Sequence, residues 1–193
     1  MRGRLLSVNL AVPRTFESRG RVVPTGIFKE PAAGRVQLRE LSLEGDVQAD
    51  RRYHGGAEKA VYLYPSEHYP HWKGFLGRDL SAGFFGENFT TEGLYEDTVH
   101  LGDTFRVGTA LVQVTRPRSP CFKLGLKVGS ARFIKSFLES RRLGFYLRVL
   151  QEGAVGAGDP IERITVDPAR ITVADDIERL YFGGPGGRAD HGT

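Results

Sequence analysis

Apolar residues in this chain come in short runs, and single glycines punctuate them. Glycine supplies 25 of the 193 residues, near twice the usual ~7%. That spacing is how turns between short strands look. No run approaches the ~18 apolar residues of a spanning helix. Strands do not alternate with long amphipathic helices, so a doubly wound parallel sheet is disfavoured. The pattern predicts a mainly β chain with some α, folded as a closed or partly open β-barrel with a few short helices.

The strands can be placed. Leu5 to Leu10 is one. Val36 and Leu38 alternate, then the pattern slips one place to Leu41 and Leu43, which predicts a bulge or corner near Glu40. Ala60 to Tyr64 reads as a short strand buried on both faces. Thr98–Leu101, Thr104–Val107 and Ala110–Thr115 read as three strands joined by tight turns. Leu143 to Leu150 and Pro160 to Val166 continue the series. Helices are expected from Pro65 to Leu76, from Ala131 to Ser140 with Ser130 as cap, and near the end from Asp167 to Leu180. The division that follows is a barrel domain over residues 1–166, then a truncated C-terminal helix and a disordered glycine-rich tail over 167–193.

Charge and cysteine content narrow the chemistry. Lys plus Arg is 27 and Asp plus Glu 23, so the net charge is +4. The basic residues are dispersed and no stripe of them interleaves with aromatics, so no nucleic-acid partner is expected. One cysteine excludes an intramolecular disulfide, and an iron–sulfur cluster held by four cysteines of this chain. Ser7 and Asn9 interrupt the N-terminal apolar stretch, which reads as a strand and not as a signal peptide. A cytoplasmic protein, with no membrane partner, is the expectation.

That cysteine sits in Thr115-Arg-Pro-Arg-Ser-Pro-Cys-Phe-Lys-Leu124, after a strong strand. Arg116, Arg118 and Lys123 lie within five residues of Cys121. Cations favour thiolate, the nucleophilic and metal-ligating form, and two prolines restrict the backbone. A gap-filling core cysteine is the alternative, but such a residue does not usually sit beside three cations. Three further segments carry polar groups in unusual company. Gly45-Asp46 to Asp50 and His54-Gly-Gly to Ala60 form a polar loop whose glycines admit close approach to an anion, or else a plain surface loop. Glu87 and Asn88 sit among aromatics in Phe84–Phe89, as a partly dry wall or as turn chemistry. Arg148 interrupts an apolar strand and faces solvent or an anion. His68 and His71 are spaced for one helix face but lack further ligand spacing.

Taken in order, Gly45-Asp-x-Gln-Ala-Asp50, His54-Gly-Gly-x-x-Lys-Ala60, Tyr64-Pro-x-Glu-His-Tyr69, Phe85-Gly-Glu-Asn88, Pro117-Arg-x-Pro-Cys-x-Lys123 and Gly144-x-Tyr-x-Arg-Val-Leu150 resemble the MOSC family, named for the C-terminal domain of molybdenum cofactor sulfurase. The resemblance is to its stand-alone bacterial branch. It implies a barrel of the pyruvate-kinase-barrel-like type that binds the molybdenum cofactor, with Cys121 as protein ligand to the metal. Arg116, Arg118, Lys123, Lys59, Asn88 and Arg148 are then the cofactor-binding candidates. Glu87 and His54 are the candidate proton donors, completing a catalytic set with Cys121.

The implied activity is that of a molybdenum-dependent oxidoreductase which reduces N-hydroxylated compounds of the hydroxylaminopurine or amidoxime type. Its electrons would come from a separate flavin or iron–sulfur protein. The alternative is a non-catalytic carrier or sulfur-transfer module for the same cofactor. No pyridoxal phosphate is expected, and the chain would act as a monomer or homodimer.

Overall fold

Seven strands hydrogen-bond side by side until the last meets the first. The computed structural model describes residues 1–18, 20–46 and 56–183. Among them the ring runs β12 (Pro160–Thr165), β8 (Thr104–Val107), β9 (Ala110–Pro117), β10 (Phe145–Gln151), β6 (Val61–Pro65), β7 (Phe89–Glu92) and β1 (Arg2–Ala11). The pairing of Arg2 with Glu162 and of Arg4 with Pro160 closes it. A closed ring leaves no free strand edge. Short β4 (Lys29–Pro31) extends β1. Two antiparallel pairs stand outside the ring, the β2 (Arg14–Ser18)–β3 (Arg21–Thr25) hairpin and the non-local pair of β5 (Val36–Leu38) with β11 (Gly153–Val155). The fold is the mostly-β barrel that the glycine spacing predicts.

Only β6 and β7 are parallel within this ring, and a parallel pair needs a crossover. The crossover carries α1 (Tyr69–Leu76), entered through a 3-10 turn at Ser66–His68 with Pro70 in the first turn, where its missing N–H costs nothing. Trp72 of α1 is buried against Phe85 and against Phe133 and Phe137 of α3 (Phe133–Glu139), with ring centroids 5.1–6.0 Å apart. The indole N–H donates to the Tyr64 hydroxyl at 2.7 Å, and Tyr64 donates to the Arg142 carbonyl at 3.0 Å. Two polar handles are thereby satisfied inside an aromatic core, as burial demands.

Two short helices flank the ring. α2 (Phe122–Val128) starts directly after Cys121, whose backbone is extended, and ends at Gly129, whose φ of +85° suits a left-handed cap. α4 (Val173–Tyr181) opens on a reciprocal capping box between Thr172 and Asp175. It buries Val173 and Ile177. No described helix is long and apolar enough to cross a membrane.

Several expectations need correction. Thr98–Leu101 is a turn, because the Tyr95 carbonyl accepts both the Thr98 and Val99 N–H groups. Ser130 does not cap α3, which starts after Arg132 without a side-chain cap. The final helix begins at Val173 and not at Asp167. The β2–β3 hairpin and α2 were not foreseen. The corner near Glu40 is present, with Leu38 bridging to Leu43. The tail expected to be disordered, from residue 184 on, lies outside the described residues.

Candidate functional site

Register across three strands builds the floor of the site. Tyr146 of β10 pairs with Arg116 on β9 and with Tyr62 on β6, and residues paired in register share a face. The two tyrosine rings stand 5.5 Å apart. A shift in register beside Tyr146 leaves Thr115 as the extra residue of β9, and its hydroxyl bonds the Tyr146 and Glu58 carbonyls. Such bulges re-aim neighbouring side chains.

Beyond β9 the chain turns, with the Arg118 N–H on the Gly144 carbonyl at 3.1 Å. The Arg118 guanidinium stacks over Tyr62 and Phe137, at 5.2 and 5.7 Å from the ring centres. Its Nη2 lies 3.9 Å from the sulfur of Cys121, which is half-buried. Arg118 is only 4% exposed, and its Nη1 has no hydrogen-bond partner among the described residues. Lys123, 7% exposed, likewise has no hydrogen bond or ion pair with a described residue. Desolvating a cation is costly unless a partner compensates. A buried guanidinium beside a thiol, with one nitrogen that no described residue satisfies, suits an anion.

The rim continues the same sign. Arg116 is exposed. The Lys59 amine sits 6.0 Å from the Tyr146 ring centre, and burial together with the charge of Arg116 holds its pKa below the ordinary value. Burial pushes the Tyr146 phenol up; it lies within electrostatic range of Arg118, Cys121, Arg116 and Tyr181. Tyr181, from the last turn of α4, donates to the Ser119 hydroxyl at 2.7 Å and so ties that helix to the cysteine loop.

Other candidates go elsewhere. Glu87 is fully buried and accepts from the Tyr69 hydroxyl, from the Gly83 and Phe85 N–H groups at 2.8 and 3.0 Å, and from Thr90 at 2.9 Å. Burial raises its pKa, opposed by those hydrogen bonds. These partners lie in the 83–90 loop and at Tyr69 of α1, and none belongs to the Cys121 segment. The Asn88 side chain accepts from the Tyr62 N–H and donates to the Asn9 carbonyl and to Asp46. Arg148 bonds Gln113 at 2.8 Å and Glu58 at 3.2 Å, away from the thiol's hydrogen-bond partners. His54 lies outside the described residues. His68 is held by Glu96 at 2.8 Å, and no described cluster of His, Cys, Asp or Glu can hold a metal. Tyr146 and Tyr181 were missed as site residues. Tyr146 sits inside the Gly144-x-Tyr pattern; Tyr181 left no signal in the sequence.

Comparison with known proteins identifies the family. The sequence profile of the MOSC domain matches residues 50–162. The chain belongs to the MOSC family. It is 46% identical over 169 residues to the uncharacterized protein YflK of Bacillus subtilis, covering 88% of this chain and 76% of that one. A protein of Gibberella moniliformis called a reductase is 33% identical over 146 residues, 74% of this chain, although the match spans only 26% of that longer protein. The crystal structure of YiiM from Geobacillus stearothermophilus superposes with a TM-score of 0.76 at 37% identity, covering 91% of this chain and 82% of that one. A MOSC barrel thus accounts for the strand order, and the cationic thiol site lies within the matched region.

Proposed function

We propose that this MOSC protein is a reductase of N-hydroxylated compounds, with the molybdenum cofactor held at Cys121. The observation that carries the reading is the buried Arg118 guanidinium, one nitrogen beside the sulfur and the other without a partner among the described residues. The residues present suit the group. Thiolate is a soft donor for a metal already bound by dithiolene sulfur. Arg118 and Lys123 would offset the negative charge of the phosphate and the metal unit, with Arg116 and Lys59 at the rim. The flat face of Tyr146 would wall the site.

The cofactor would supply a two-electron metal centre that accepts the substrate oxygen. The balance is R–NH–OH plus two electrons and two protons, giving R–NH2 and water. A separate flavin or iron–sulfur protein would deliver the electrons. Of the two candidate proton donors, Glu87 is hydrogen-bonded away from the Cys121 segment. His54 keeps that role in the proposal, and the Lys59 amine is a second source, its proton loosened by burial.

The test is metal and pterin content after expression in a host that makes the cofactor, native against Cys121→Ser. The expected result is a loss of bound molybdenum of at least about tenfold in the variant. Unchanged molybdenum removes Cys121 from its role. Native protein that is loaded with molybdenum yet inert towards hydroxylaminopurines and amidoximes, given a reduced dye, points to a carrier instead.

A further inference from the structure

Cys121 stands at the N-terminal end of α2, a helix of seven residues, about 10 Å long. So short a helix owes its place to what it touches. On one side Leu124 is fully buried and Gly125 packs on Ser130 and Ile134. On the other side one residue does the work. The Lys127 amine donates to the Ile27 carbonyl at 3.0 Å and to the Gly83 carbonyl at 3.1 Å. It also lies 5.3 Å from the ring centres of both Phe28 and Phe84. Among the described residues, no other side chain of α2 makes a hydrogen bond that leaves the helix.

The two carbonyls are themselves fixed. Gly83 gives its N–H to Glu87 and has a φ of +80°, and a Cβ there would sit 2.8 Å from the Lys29 carbonyl oxygen. Gly86, with φ +88°, packs so closely on Ile27 that a Cβ would lie 2.9 Å from that side chain. Only glycine fits such positions without strain. Lys127 therefore reaches a rigid socket. The charged groups facing that socket are Glu87, whose carboxylate favours the ammonium, and Lys29, Arg14 and Arg118, which oppose it. Lys29 is itself neutralised by Asp46 at 2.7 Å, and Arg14 and Arg78 stack on the outer faces of Phe28 and Phe84.

We propose that Lys127 is the positioning residue of the site: by fastening α2 to the Ile27 and Gly83 carbonyls, it sets where the Cys121 sulfur stands. This deepens the reading above and rests on it for its functional meaning. A lone cysteine makes the position measurable without molybdenum. In apoprotein, alkylation is followed with a small reagent, iodoacetamide, and a bulky one, a maleimide-linked dye. The ratio of bulky to small rates cancels the thiolate fraction and reports how freely the segment moves.

Lys127→Met is expected to raise that ratio by about threefold or more at pH 7, since two buried carbonyls lose their donor. Lys127→Arg, which keeps charge and donors, is expected to restore it at least in part. The native protein supplies a further readout that needs no variant. Burial lowers the Lys127 pKa to about 8, so the seated amine releases its proton more readily than a free one. Seating must then strengthen as pH rises from about 8 towards 10.5, and the native ratio must fall over that window. A ratio unchanged in Lys127→Met, or a native ratio flat across the window, overturns the proposal. Neither result bears on whether Cys121 binds molybdenum, which the loading experiment decides alone.

Discussion

Two buried polar clusters in this molecule are built on opposite rules. Around Asp46, Asn88 and Glu87 the donors and acceptors meet. Asp46 takes Lys29 at 2.7 Å, the Ala11 N–H at 2.7 Å and the Asn88 amide at 2.8 Å, while Glu87 takes four donors. Around Cys121, Arg118 is as deeply buried, yet one of its guanidinium nitrogens has no hydrogen-bond partner among the described residues. A satisfied network specifies architecture; an unsatisfied one of a single sign marks a binding place. Both clusters are made of residues from the family-like patterns, so pattern membership alone does not separate scaffold from site.

The contrast can be broken by substitution. Asp46→Ala leaves the buried Lys29 ammonium uncompensated and should cost about 3–5 kcal/mol, read by urea unfolding. A loss below about 1 kcal/mol would show that the first cluster is not the scaffold described. Lys127 gives an intermediate effect with a sign fixed by linkage. Its folded pKa of about 8 lies below the ordinary 10.5. The unfolded chain therefore binds the proton more tightly, and this group's contribution to stability rises between those pH values. The difference between native protein and Lys127→Met should change by on the order of 2–3 kcal/mol across that window, measured by denaturation at each pH. A constant difference would mean that the amine is not buried as described.

The smallest effect on stability is expected where the contrast predicts the largest on loading. Arg118→Met removes an unpaired buried donor and fills the space between Tyr62 and Phe137, so apoprotein stability should move by less than about 1 kcal/mol. Molybdenum content in the same variant should fall by at least about tenfold. Full loading would place Arg118 with the scaffold and erase the distinction.

Much of the barrel was legible because its signals are local. Single glycines ended short apolar runs, and the slip between Leu38 and Leu41 marked a real corner. Cys121 with Arg118 and Lys123 was legible as a candidate site for the same reason, three such side chains lying within six residues. The role of Glu87 was not. Two of its donors are backbone N–H groups of Gly83 and Phe85, aimed by a loop conformation that composition does not encode. α2 was hidden by its length and by Gly125 at its centre, a poor helix former that is needed where Ser130 and Ile134 approach. Tyr181 reaches Ser119 across 62 positions, a separation that no pattern along the chain reports.

The seam between β1 and β12 has a consequence for assembly. Its partners, Arg2 and Glu162, stand at nearly opposite ends of the barrel segment. Contacts so remote in sequence form late and slowly. During synthesis the first strand must wait, unpaired on that edge, until the twelfth has left the ribosome. Before that moment the ring that carries the cysteine loop stays open, so the site takes its final shape only when the seam closes.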